Sequence, residues 1–447
     1  MVLLLSDQLL RMTIGKFVAM VNAVDPSFEF FDDNLPEFTE VHQTASTPYI
    51  KQHTAHRCAR PIESLPKYSP RLAYTLAVAS KIVYEDVGVL EHELEKDGFD
   101  MSTFRPMAYR NICGFIAKKD DDVLLVFRGT NPLNIQNFVT NVTIRKKEVK
   151  SMGNVHKGFW EAMGNPAPDA TLNPAIFKIE LNGVSLYRTI MSAVDAVLQV
   201  GKFAVHHLLH HFSDPVDNSW IGIDADVRSR SMFAQAESHI LDICQRNNGQ
   251  PIRLYVTGHS LGGALATAKM IQSKSPLMDY FAGLYTYGQP NVGDDQFARS
   301  FGSQISSMIF RHTYNNDIVS RIPSFAGYGT PPGTLVFIDS SYNVSLFPPA
   351  LYTNVPVRVR KINFLHLSGL LNTSVIRRLP QETWLRIGFR ILCPFFINDH
   401  FPTEYCNGLR YGRYQWIAEN ETQQIEGDSG TFTLQIPADD QGMAASA

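Results

Sequence analysis

The segment from Arg253 to Met270 restricts the fold more than any other part of the chain. The alternating strand RLYVT at 253–257 runs into Gly258-His259-Ser260-Leu261-Gly262 and on into the helix-forming run ALATAKM at 264–270. A strand that reverses into a helix within so few residues needs small side chains where the two backbones cross, and Gly258, Gly262 and Gly263 meet that need. The residue at the apex of such a turn has a strained backbone and an exposed side chain. Here that residue is Ser260.

The rest of the chain repeats this strand and helix alternation. SPRLAYTLAVASKIVYED predicts a helix capped by Ser69 with Pro70 just inside it. NICGFIAKKDDDVLLVFRGT predicts two strands around a charged turn, and MFAQAESHILDICQR predicts a helix over 232–246. FAGLYTYG, SMIFRHTY and GTLVFID predict further strands, with a short helix starting at Asp294 after the first of them. The expected fold is therefore α/β, a mainly parallel central sheet with helices on both faces.

We read one α/β domain over 66–423 carrying two insertions, at about 164–230 and 340–398. Residues 1–65 read as an amphipathic helix over 1–24 (Leu10, Ile14, Phe17, Val18 and Val21 on one face) followed by an extended segment, and the composition of 424–447 predicts a polar, disordered tail. In the start of the chain, Asp7, Gln8 and Arg11 break the apolar run, so it reads poorly as a secretory leader. The five cysteines are scattered and show neither metal spacing nor a disulfide framework, which favours reduced thiols and an intracellular setting. A formal net charge of -3 gives no general attraction to nucleic acid, and no nucleic-acid-binding motif is present.

A serine hydroxyl is a weak nucleophile and needs a base that a third group orients. Asp317, in a loop after the strand ending at Tyr314, is the best acid. Asp294 and Asp295 are rivals better placed to cap the next helix. His400, before a helix opened by Pro402, is the best base, and His259 and His312 read as structural. The oxyanion formed on attack needs two donors. The Leu261 N–H at the start of the helix is one, and Thr130, after the strand 123–127, is the candidate for the other.

Six segments occur in the order found in the class 3, fungal-lipase-like branch of the α/β-hydrolases. They are VFRGT, VHKGF, VTGHSLGGALA, TYGQPNVGD, HTYNNDIVSRIP and NDHFPTEY, between residues 126 and 405. The chain resembles that family, and its long insertions look more like the oil-body and plant-type intracellular triacylglycerol lipases. The resemblance implies a triad of Ser260, Asp317 and His400, an oxyanion pair of Thr130 and Leu261, and no cofactor or metal. It places a lid after Thr130, with Leu133, Ile135, Phe138, Val139 and Val142 as its apolar residues; the family often has Trp where Phe138 stands. The implied partners are an acylglycerol or other lipid ester and the surface of a membrane or lipid droplet. A phospholipase, an acyltransferase or an inactive lipid-binding protein would share most of these features.

Two surface segments bear on the substrate. The helix at 184–209 is apolar over most of its circumference, which suits a core, a partner or a lipid surface. Its His206, His207, His210 and His211 have i, i+4 pairs, but no carboxylate or cysteine completes a metal site. The segment 358–390 interleaves Arg and Lys with Phe, Leu and Trp, a combination suited to anionic lipid.

Overall fold

The computed structural model describes residues 29–35, 68–109, 112–129, 146–150, 152–164, 230–247, 252–270, 276–323, 327–329, 331–347 and 398–416. The expected N-terminal helix, the lid, most of both insertions and the tail lie outside these residues.

The described elements run α1 (Pro70–Ile82), α2 (Val87–Lys96), β1 (Asp100–Tyr109), β2 (Ile112–Lys119), β3 (Asp122–Phe127), β4 (Lys146–Val149) and β5 (Gly153–His156). They continue with α3 (Lys157–Ala162), α4 (Met232–Arg246), β6 (Arg253–His259), α5 (Leu261–Leu265), β7 (Phe281–Tyr287), α6 (Asp295–Ser300) and α7 (Gly302–Ser306). Last come β8 (Ile309–Tyr314), β9 (Thr334–Ile338), β10 (Asn343–Phe347), α8 (Pro402–Arg410) and β11 (Arg413–Trp416). Nine strands form one sheet in the order β1-β2-β3-β6-β7-β8-β9-β10-β11, and β4 and β5 make a separate ribbon.

The pairings from β3 through β6, β7 and β8 to β9 are all parallel. Antiparallel pairings are confined to the flanks, at β1–β2, β2–β3 and β9–β10. Parallel neighbours need crossovers, and a parallel centre must be covered on both faces. Alternate residues of the central strands accordingly feed two cores. Phe115, Ala117, Leu124 and Val126 join α1 and α8 on one face. Ile116, Val123, Leu125 and Phe127 join α4 and α5 on the other.

The helix signals work locally as the sequence predicts. Ser69 Oγ accepts from the Leu72 N–H and Pro70 sits in the first turn of α1. Ser231 Oγ likewise accepts from the Ala234 N–H at the start of α4. In α4, Ala236, Ile240 and Ile243 are buried at helical spacing, whereas Asp242 and Arg246 pair at 2.7 Å near the solvent. Burying each isoleucine contributes on the order of 2 kcal/mol, more than the exposed ion pair can.

Three features depart from the sequence reading. β1 is a full strand although it contains Pro106, because it lies at the edge of the sheet, where a missing N–H need not face a neighbour. β10 extends the sheet inside the segment read as the second insertion; its five residues are too few for their pattern to stand out. The run after Ser260 is also not a uniform α-helix, since α5 passes into a π-helical turn at Ala266–Met270. Thr267 Oγ1 donates to the Gly263 carbonyl at 2.9 Å, and such back-bonding competes with the regular ladder. Of the cysteines, Cys113 and Cys406 are buried and Cys244 is half-buried; Cys58 and Cys393 lie outside the described residues.

Candidate active site

Strand β6 ends at His259, near the middle of the sheet, and Ser260 joins it to α5 with φ 57° and ψ -128°. A positive φ on a side chain other than glycine costs of order 1–3 kcal/mol and persists only when the surroundings enforce it. The enforcement is visible here. The Ser260 N–H donates to the Tyr287 carbonyl at 2.8 Å, holding the turn against β7. Gly258 and Gly262 let strand and helix cross: a β-carbon on Gly258 would overlap the Gly262 backbone, and one on Gly262 would overlap the Phe127 carbonyl oxygen. Because the obstacles are backbone, Gly262→Ala is expected to displace the end of β3 and to cost on the order of 3 kcal/mol. Thermal unfolding against the parent protein checks this, and an unchanged midpoint would mean that the crossing is looser than described.

Asp317 lies in the loop after β8. Its N–H donates to the Tyr314 carbonyl at 2.9 Å, and its side chain is fully buried. Three donors surround the carboxyl. The Val319 N–H reaches Oδ1 at 2.8 Å, and the Tyr405 hydroxyl and His400 Nδ1, the latter at 2.8 Å, reach Oδ2. The loop is clamped from both sides. Arg321 donates to the carbonyls of Asp317 and Asn315, while Asp399 Oδ2 accepts from Asn315 Nδ2 at 2.9 Å and the Asn316 N–H at 3.0 Å. Asp399 precedes His400, so the same contact ties the acid loop to the histidine loop.

His400 is fully buried and precedes α8, which Pro402 opens. Because Asp317 can only accept, the Nδ1 of His400 carries the proton and Nε2 is left as a base. His400 Nε2 and Ser260 Oγ are both buried and have no hydrogen-bond partner among the described residues. Gly288, in a left-handed conformation next to Tyr287, makes room for the pair: a β-carbon there would lie 2.7 Å from Asp317 Oδ2 and 2.8 Å from His400 Nδ1. The structure thus brings Asp317 and His400 into contact, against the strand end that also holds Ser260.

The rival residues have other work. Asp294 caps α6 through the Phe297 N–H at 2.8 Å and binds Asn154. In β8, His312 Nδ1 donates to the Thr286 carbonyl and Nε2 meets the Tyr68 hydroxyl, each at 3.0 Å; burial lowers its pKa to about 3. His259 is buried between Tyr84 and the His400 carbonyl, and burial, with His400 beside it, holds its pKa well below the ordinary range. Leu261 opens α5, so its N–H is among the first-turn donors with no partner inside the helix. Thr130 and the lid residues Leu133, Ile135, Phe138, Val139 and Val142 lie outside the described residues. Among the described residues no cluster of His, Cys, Asp or Glu could hold a metal ion.

Sequence reasoning missed Tyr405, Asp399, Arg321 and Gly288. Tyr405 and Asp399 stand within the quoted NDHFPTEY motif, but only the direction in which α8 leaves the loop brings Tyr405 back to Asp317.

A mainly parallel sheet with a strained serine at the end of a central strand, followed along the chain by an aspartate and a histidine in contact, has the pattern of the α/β-hydrolase fold. More narrowly, residues 124–326 match the family Lipase (class 3), so the expected resemblance holds. The chain is 26% identical over 369 residues to the triacylglycerol lipase OBL1 of Arabidopsis thaliana, covering 75% of this chain and 64% of that protein. It is 29% identical over 145 residues to the phospholipase A1-II 1 of Oryza sativa subsp. indica, covering 30% of this chain and 36% of that one. A solved structure of lipase II from Rhizopus niveus aligns at 17% identity with a TM-score of 0.35, over 60% of this chain and 78% of that one.

Proposed function

We propose that this chain is a lipase that hydrolyses carboxylic esters of acylglycerols at a lipid–water interface, with Ser260, Asp317 and His400 as its triad. The observation that carries the proposal is the buried contact of His400 Nδ1 with Asp317 Oδ2 at 2.8 Å, set against a serine held at φ 57°. Ser260 Oγ attacks the ester carbonyl while His400 Nε2 takes its proton. Asp317 keeps the imidazole in the required tautomer and stabilises the imidazolium. The Leu261 N–H and Thr130 receive the oxyanion. His400 then protonates the leaving alcohol, and a water activated by His400 releases the fatty acid.

The interfacial part of the proposal rests on sequence. Residues 131–142 are apolar at Leu133, Ile135, Phe138, Val139 and Val142 and adjoin Thr130. In water, burying those side chains over the site gains about 25 cal/mol per Å² of apolar area, and a lipid surface offers the same gain with the site open. Segments 184–209 and 358–390 would add apolar and basic docking area for a membrane or lipid droplet inside the cell. Among the described residues no helix is long and apolar enough to cross a membrane. A phospholipid ester is the second reading, favoured by the similarity to the rice protein.

Purified protein incubated with emulsified triacylglycerol, diacylglycerol and phospholipid is expected to release fatty acid fastest from the acylglycerols. Its activity on a short-chain ester should rise steeply at the solubility limit, and replacing Phe138 and Val139 with Ser should flatten that rise. Release mainly from phospholipid would favour the second reading. A smooth saturation curve through the solubility limit in both proteins would remove the lid.

A further inference from the structure

We propose that Tyr84 is a positioning residue which, through His259, ties the end of β3 to the loop that carries His400. The inference rests on the esterase reading above and concerns how that site is kept assembled.

The chain of contacts is continuous. The Tyr84 hydroxyl lies 2.9 Å from His259 Nδ1, and His259 Nε2 lies 2.6 Å from the His400 carbonyl oxygen. The same Tyr84 hydroxyl packs closely against Gly129. Gly129 follows β3 and precedes Thr130, and a β-carbon on it would lie 3.0 Å from Ser260 Cβ and would overlap the Tyr84 hydroxyl. Glycine is therefore required where Tyr84 approaches.

Chemistry gives each contact one direction. A carbonyl only accepts, so His259 Nε2 carries the proton and Nδ1 must accept. Tyr84 therefore donates to His259 while its oxygen packs against Gly129. The relay needs a neutral imidazole, and the burial of His259 supplies one. The rings are packed as well as bonded: Tyr84 meets His259 edge-on with centroids 6.0 Å apart, and His259 lies 4.5 Å from the His400 ring.

Its placement separates this relay from ordinary core packing. Tyr84 stands just after α1, whose helix packs on β6, β7 and α8, the elements that carry Ser260, Gly288 and the segment after His400. One hydroxyl thus links the strand end proposed to receive the oxyanion with the backbone of the proposed base. A fraction of an ångström of drift at either end weakens a transition-state contact and leaves ground-state binding alone.

The test uses the full chain, a soluble p-nitrophenyl ester and end-point active-site titration with a fluorophosphonate. Tyr84→Phe keeps the ring and is expected to lower kcat per titrated site roughly tenfold to a hundredfold, with KM changed by no more than about twofold. The affinity of an alkylboronic acid, which mimics the tetrahedral adduct on serine, should fall by a similar factor. His259→Phe, and the double variant with Tyr84→Phe, should be equally impaired, because members of one relay do not add. A kcat per site within about twofold of the parent for Tyr84→Phe would overturn the proposal, as would losses that multiply in the double variant. Ser260→Ala serves as the control. If it stays active, the esterase reading itself fails; if it is inactive while Tyr84→Phe is normal, only the relay fails.

Discussion

Ser260→Ala is expected to remove ester hydrolysis almost completely, with a loss on the order of a millionfold in turnover. The Ser260 hydroxyl stands at the strained apex between β6 and α5, at the N-terminal end of the helix. Alanine keeps the β-carbon and tolerates the same backbone, whose shape is imposed by Gly258, Gly262 and the bond to the Tyr287 carbonyl. The variant should therefore unfold at nearly the parent temperature and still bind substrate. Turnover of an emulsified and of a soluble ester, together with thermal unfolding, checks it. A folded variant with most of the parent activity would put the chemistry elsewhere.

Asp317→Asn should lower turnover by about ten-thousandfold, by analogy with serine hydrolases that lose the acid's charge. The local reason can be read from the donors. Val319 N–H, Tyr405 O–H and His400 Nδ1 all converge on the carboxyl, so it is asked only to accept. An amide NH2 turned toward any of them meets another donor. The least costly relief is for His400 to move its proton to Nε2, and an imidazole with Nε2–H cannot take the serine proton. The size and shape of the side chain hardly change, so the loss should appear in kcat and much less in KM. Asp294→Asn is the matched control. It should leave turnover nearly intact, because Asp294 caps α6 and binds Asn154. The reverse outcome, a harmless change at Asp317 and a crippling one at Asp294, would show that the wrong aspartate has been chosen.

What could be read from the sequence was whatever depends on neighbours along the chain. The elbow at Ser260 is such a feature, because Gly258, Gly262 and Gly263 have to lie beside the residue they make room for. The caps of α1 and α4 are others, since Ser69 and Ser231 serve N–H groups three residues away. The Asp317 and His400 candidates came from the order of elements: loops leaving the same end of a parallel sheet lie near one another.

Tertiary structure decided everything that depends on residues far apart in the chain. Tyr405 reaches Asp317 across 88 positions, Asp399 braces Asn315 across 84, and Tyr84 meets His259 across 175. No periodicity or capping rule connects such pairs, because the force that brings them together is the burial of two apolar cores against the faces of one sheet. β1 and β10 were missed for a related reason: a proline or a five-residue length weakens the local signal, while pairing with β2 and β9 supplies the hydrogen bonds that make each a strand. Local sequence thus determined which residues could do chemistry here, and the folded sheet decided which of them stand together, since only packing across the chain can hold a buried carboxyl, an imidazole and a strained serine turn in one place.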